Sequence, residues 1–489
     1  MRRAGVLIPL FSLRGDGWGL GEIRDLAPFA RWARSAGFTV VQILPVLEVS
    51  GGQSSPYGAQ TAFALDPVYL ALDRIDGIER PADVAELQRA PRVDWGAVRW
   101  RKNRALEAAF ARLGKLPDDA RAWAAGEASW IDDYALFTAI HERYPTWWQD
   151  WPEPLKRRDA AALAEARAQL AGRVDYFVWL QWLLDRQWHE ARAEVNALGV
   201  AIMGDLPFSV APDAADVWAH QDEFRVDARA GVPPDAFSKD GQDWGLPVYR
   251  WDVMAAGGFA WMKERARHAC ELYDLYRVDH VVGLYRSFYR EGIEPTTGPG
   301  KFTPQKQADQ LVLGELNMKT LGGANVVAED LGVVPDFVRA SLDRLGIPGY
   351  RVLRWEKDGT AFRDPAKWPK VSVATTGTHD TDSLADWFDE MPAAERKALT
   401  AIPGLAKLHG MTKFDDEVRD TILELLYASP SELALIPFQD ALGARERVNV
   451  PGTVTGDNWT YRMPMTIDDL AADAATAARL RALAERNGR

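Results

Sequence analysis

The chain predicts an α/β fold, a (β/α)₈ TIM barrel, and three observations predict it. Eight short apolar or β-branched runs punctuate the 489 residues. Amphipathic helical patterns separate most of them. Three of the runs carry an acid at or near their end, as barrel strands do when they deliver chemistry to one rim.

In order, the runs are 5–11, 38–46, 199–208, 274–282, 325–331, 349–356, 371–380 and 432–440. Their near-continuous apolar character suits strands buried on both faces. Asp25 to Ala36 and Pro335 to Leu345 read as amphipathic helices between them. Two gaps exceed a simple crossover. Residues 47–198 hold an Ala/Arg/Glu/Leu/Trp-rich stretch with helical periodicity, expected as a large, mostly helical insertion between strands 2 and 3. Residues 209–260 carry Gly231-Val232-Pro233-Pro234-Asp235 and Gly241-Gln242-Asp243-Trp244-Gly245, read as a long active-site loop between strands 3 and 4 that covers the rim. The whole of 1–489 is expected as one catalytic domain bearing both additions.

Composition excludes several classes. The formal charge is −12, without the basic stripe that nucleic acid or an anionic membrane would require. No stretch of eighteen apolar residues occurs, so no membrane span is expected. The start, Met1-Arg2-Arg3 before an apolar run, lacks a small-residue cleavage site and reads as a strand rather than a secretory leader. Cys270 is the single cysteine, so no internal disulfide forms, and a cytoplasmic location is expected. Twenty tryptophans serve mostly as core, and are also how proteins present flat faces to sugar rings.

The three acids are Asp279 in Arg277-Val278-Asp279-His280, Glu329 after Val326-Val327-Ala328, and Asp380 in Thr378-His379-Asp380. Three acids on one rim suit the breaking and remaking of a sugar–sugar bond with retention: a nucleophile, an acid/base and a charge stabiliser. Arg277 and Asp279 sit two apart on a strand and face the same side, so the guanidinium can hold the carboxylate ionised. Apolar neighbours suit an acid/base that starts protonated at Glu329. Asp330 would face the other way, into supporting contacts. Taken singly, Asp279 and Glu329 read equally well as a structural ion pair or a cap. His280 and His379 each adjoin a rim acid and could donate to sugar hydroxyls. No His-Glu-x-x-His, paired-Cys or calcium-loop spacing occurs, so no metal is expected. The Gly15 to Gly21 segment completes neither nucleotide-binding pattern, so no cofactor is expected.

The ordered motifs resemble glycoside hydrolase family 77, the 4-α-glucanotransferases. They are Ser55-Pro56-Tyr57, Gly204-Asp205-Leu206-Pro207, the stretch from Pro233 to Pro247, Arg277-Val278-Asp279-His280, Ala328-Glu329-Asp330-Leu331-Gly332, Thr378-His379-Asp380, Asn449-Val450-Pro451-Gly452-Thr453 and Asn458-Trp459. The resemblance implies Asp279 as nucleophile, Glu329 as acid/base and Asp380 as the acid gripping sugar hydroxyls in the transition state. It implies substrate contacts from Tyr57, Arg277, His280 and His379 at the cleavage point, from Asp235, Gln242 and Trp244 on the covering loop, and from Asn458 and Trp459. The substrates implied are maltooligosaccharides and other α-1,4-glucans, with transfer to an acceptor 4-hydroxyl. A mainly hydrolytic α-glucanase with the same acids is the alternative, and a non-catalytic glucan-binding protein the third reading. Val281-Val282 and Thr381-Asp382-Ser383 depart from the family's common Phe-Arg and Asn-Asp-Thr.

Overall fold

The computed structural model describes residues 2–234, 239–322 and 325–489. Its strands are β1 (Arg3–Leu7), β2 (Val40–Gln42), β3 (Ala201–Leu206), β4 (Phe224–Val232), β5 (Gln242–Tyr249), β6 (Leu275–Val278), β7 (Ser287–Glu291) and β8 (Lys301–Thr303). After these come β9 (Val326–Ala328), β10 (Gly349–Val352), β11 (Lys357–Asp358), β12 (Ala361–Phe362), β13 (Ser372–Thr375) and β14 (Leu433–Pro437). Eight of them close a parallel barrel in the order β1-β14-β13-β10-β9-β6-β3-β2. These eight are the eight apolar runs, and each strand is shorter than its run. The remainder of each run extends past the strand end onto the rim, where the polar residues sit.

Leu7, Val40, Met203, Leu275, Val327, Tyr350, Val373 and Leu435 fill the barrel interior. Gly5 lets β1 approach its neighbours, since a Cβ there would lie 3.0 Å from both Leu435 and Val40. At Gly204 a Cβ would lie 2.3 Å from the Tyr273 ring. Outside the barrel, Phe29 and Trp32 of the helix Leu26–Ser35 pack edge-on against Phe438 and tilted against each other. Alternation of strand and helix fails once. Between β10 and β13 the chain forms the β11–β12 hairpin and a short 3-10 turn at Pro365–Lys367. The reason is local: Gly359, Pro365 and Pro369 leave too little uninterrupted sequence for a helix.

Residues 47–198 are helical from Val84 onward, as the periodicity predicts, and end in the helix Ala171–Ala197. That last helix packs on both Leu26–Ser35 and β3, so it also serves as the β2-to-β3 crossover. Two glutamines fasten it to the preceding loop. Gln181 exchanges amide hydrogen bonds with the Leu65 backbone, and Gln187 does so with Ala71. Trp148 and Trp151 are buried there, while Trp147 is 53% exposed.

Residues 209–260 differ from expectation. Rather than being loop throughout, the segment contributes β4 and β5 to a four-stranded antiparallel sheet ordered β5-β4-β7-β8. Its strand signal was masked because the pairing is irregular, with register shifts between Arg225 and Gly231. The glycines that looked like turn signals serve close backbone approach. A Cβ on Gly231 would lie 2.1 Å from the Gln242 carbonyl oxygen. Cys270 is exposed on the helix Ala260–Leu272.

Candidate active site

Asp279 and Glu329 are each the first residue beyond a barrel strand. The Asp279 N–H donates to the Leu206 carbonyl at 3.0 Å, and the Glu329 N–H to the Val278 carbonyl at 3.0 Å. The last rungs of the ladder therefore fix both backbones, and alternation turns their side chains to the rim. Asp380 lies five residues past β13 in a turn closed by Thr378 and Thr381. Gly377 makes that turn possible, because a Cβ there would lie 2.2 Å from Thr381 Oγ1.

Arg277 organises the acids. Its Nη1 lies 2.8 and 2.9 Å from the two oxygens of Asp205. Its Nη2 lies 2.8 Å from Asp279 Oδ1 and 3.9 Å from Glu329 Oε2. One guanidinium nitrogen thus stands between the two rim carboxyls. Burial opposes the Arg277 charge, but the Asp205 and Asp279 carboxylates outweigh it and hold the pKa well above its usual range.

Glu329 sits in a different field. Burial pushes its carboxyl up to about 8, against the opposing pull of Arg277 and with help from the Asp279 charge. It accepts N–H groups from His280 at 2.8 Å and Leu331 at 3.1 Å. The His280 contact requires an uncommon backbone: His280 has φ 45° and ψ 56°, the left-handed region. Burial lowers the His280 imidazole to about 4, so the ring is neutral at neutral pH. Asp330, buried, accepts the Tyr350 N–H at 2.7 Å and pairs with Arg351, the supporting role expected of it.

The third acid is held differently again. Asn449 donates to Asp380 Oδ1 at 2.6 Å, Arg447 donates to its carbonyl at 2.9 Å, and His379 Nε2 lies 3.4 Å from Oδ2. Tyr57 closes the gap across the rim. Its hydroxyl donates to Asp205 Oδ2 at 2.8 Å and lies 3.2 Å from His379 Nε2. Its ring stacks on His379 at 5.4 Å, with Trp459 tilted against both. On the opposite side the β4–β5 hairpin carries Trp244, edge-on to His280 at 4.7 Å. Gln242 Oε1 accepts the Trp244 indole N–H at 3.0 Å.

Most of the residues named from sequence therefore converge: Tyr57, Trp244, Arg277, Asp279, His280, Glu329, His379, Asp380 and Trp459, with Gln242 behind Trp244. Asn458 does not. Its amide is spent on the Val450 N–H and the Thr453 carbonyl, holding the turn at 450–453. Asp235 lies outside the described residues. Two residues were missed as members of the site. Asp205 carries the same signal as the three acids, an aspartate at the end of an apolar run. Asn449 has no local signal, since its role arises from a loop 69 residues from Asp380.

Fold and rim chemistry together define a carboxylate-based enzyme of the (β/α)₈ class. The family profile described as 4-alpha-glucanotransferase, glycoside hydrolase family 77, matches residues 8–467. The chain belongs to that family. A 4-alpha-glucanotransferase of Thermus thermophilus is 36% identical over 507 aligned residues, covering 99% of this chain and 98% of the relative. A chloroplastic/amyloplastic 4-alpha-glucanotransferase of Solanum tuberosum is 32% identical, covering 97% of this chain and 84% of the relative. Among solved structures, an amylomaltase from Streptococcus agalactiae in complex with acarbose aligns with a TM-score of 0.87 and 27% identity, over 100% of both chains. Among the described residues no helix is long and apolar enough to cross a membrane.

Proposed function

We propose that the chain transfers α-1,4-glucan segments between maltooligosaccharides by retaining double displacement. Asp279 attacks the anomeric carbon of the donor while Glu329 protonates the departing glycosidic oxygen, leaving a glucosyl ester on Asp279. An acceptor 4-hydroxyl then attacks that ester, Glu329 takes its proton, and Asp279 leaves as carboxylate. Asp380, pinned by Asn449, accepts from sugar hydroxyls as positive charge develops on the ring. Tyr57 and Trp244 offer aromatic surfaces on either side of the cleavage point.

The observation that carries this reading is the pair of unlike environments around Arg277: Asp279 at ion-pair distance, Glu329 buried and pushed up to about 8. A carboxyl that burial keeps protonated, beside a carboxylate paired with a guanidinium, suits an acid and a nucleophile. Trp244 over His280 supports transfer over hydrolysis, because a covered intermediate admits a sugar hydroxyl more readily than bulk water. A single exposed cysteine and the absence of disulfides support work in a reducing cytoplasm. The test is incubation with maltotriose alone and separation of products by length. Transfer gives glucose and chains longer than the substrate. Glucose and maltose alone would reassign the protein as a hydrolase.

A further inference from the structure

On the outer ring of the barrel, the helix Ala260–Leu272 meets the end of the helix Asp118–Gly126. His268 and Glu271 lie three residues apart on one face of the first helix, and Glu127 caps the second. One metal-ligating atom from each of Glu127, His268 and Glu271 lies within 4.8 Å of the other two.

The histidine is set up as a ligand. Its Nε2 lies 2.9 Å from the Phe63 carbonyl, which can only accept, so the ring proton is on Nε2. The Nδ1 atom is buried and has no hydrogen-bond partner among the described residues. A buried lone pair left unmet is costly, and metal-binding histidines characteristically donate their other ring nitrogen to a carbonyl or carboxylate. Phe63 and Trp130 pack against the ring at 5.7 and 5.6 Å and fix its direction. The Trp130 indole N–H donates to Glu127 Oε2 at 2.8 Å, which orients that carboxylate in the same way.

Charge favours a cation. Glu127, Glu264 and Glu271 all pair with the single guanidinium of Arg267. Three carboxylates on one arginine leave negative charge uncompensated, and a divalent ion would balance it. Arg267 binds Oε1 of Glu271, so Oε2 is the oxygen that faces His268 Nδ1, at 3.9 Å. Tetrahedral zinc with bonds of about 2.0–2.2 Å needs its ligand atoms roughly 3.4 Å apart. Glu271 is a surface side chain and covers that difference by a small rotation.

We propose that Glu127, His268 and Glu271 bind a zinc-class divalent cation, with solvent in the fourth position. The site is structural. It clamps an outer barrel helix to the helical segment between β2 and β3. The mixed nitrogen and oxygen ligands select zinc, cobalt or nickel over magnesium or calcium. Sequence inspection missed it because two of the ligands form a short H-x-x-E pair and the third lies 141 positions from His268, with no recognised metal spacing.

The test uses the purified, metal-stripped full chain titrated with zinc chloride by calorimetry, and with cobalt chloride by visible absorption. One saturable equivalent per chain is expected, with cobalt bands of low-coordinate N/O ligation and a rise in Tm on zinc addition. His268→Gln and Glu271→Gln are expected to weaken zinc at least tenfold and to lose the Tm rise. Glu271 is a surface residue, so its variant reads binding without risk to the fold. Absence of saturable binding, or wild-type affinity in both variants, would overturn the proposal.

Discussion

Glu329 makes the sharpest kinetic prediction. As acid/base it must carry a proton to cleave the donor, and burial sets that proton's affinity at about 8 rather than the ordinary glutamate value of 4.5. The sign follows: the acid is competent below about 8, and kcat/KM for maltotriose falls roughly tenfold per unit above it. A glutamate in water would have lost the proton long before neutrality. The assay is the initial rate of glucose release from maltotriose between about pH 5 and pH 10, under conditions where kcat/KM is read. Glu329→Gln is the matched perturbation. It should cost about 10²–10⁴ on maltotriose. It should cost far less on α-maltosyl fluoride, whose leaving group needs no proton, and the alkaline limb should vanish with that substrate. An alkaline limb below about pH 6 in the wild type would refute the burial argument. An equal loss on both substrates would refute the assignment of Glu329 as the acid.

Three further outcomes are expected. Asn449→Ala removes the 2.6 Å bond to Asp380, a charged hydrogen bond of about 1.5–3 kcal/mol; kcat should fall about 10- to 100-fold while Tm stays within a few degrees, as read by paired kinetics and calorimetry. Trp244→Ala uncovers His280 and should raise the share of intermediate lost to water, seen as less maltopentaose and more maltose from maltotriose at equal conversion. Gly204→Ala drives a methyl into the buried Tyr273 ring at 2.3 Å and should destabilise the fold by about 1–3 kcal/mol or more in urea titration, since overpacking in a tight wall is not relieved.

Much of this was legible in the chain. The eight apolar runs contain the eight barrel strands, and Asp279 and Glu329 stand directly beyond strand ends, with Asp380 five residues past β13, because a run buried on both faces stops where polar residues meet the rim. Arg277 and Asp279 were legible as a same-side pair because strand alternation is local. The β4–β5 hairpin was not, because Gly231 and Gly241 carry the residue identity of turns while serving close strand approach. Asn449 and Trp459 were visible only as motif letters. Their contacts to Asp380 and Tyr57 come from chain closure near the end of the sequence, which no local pattern encodes.

The sequence by itself determined the barrel, the family and the three acids, because hydrophobic periodicity and strand-end position are short-range properties. Only the tertiary structure decided how those acids differ. Arg277 can bridge Asp205, Asp279 and Glu329 because parallel pairing sets β3, β6 and β9 side by side, with Asp205 opposite Arg277 in register. Burial then raises the Glu329 carboxyl, since the loss of water around it depends on every element that packs against it.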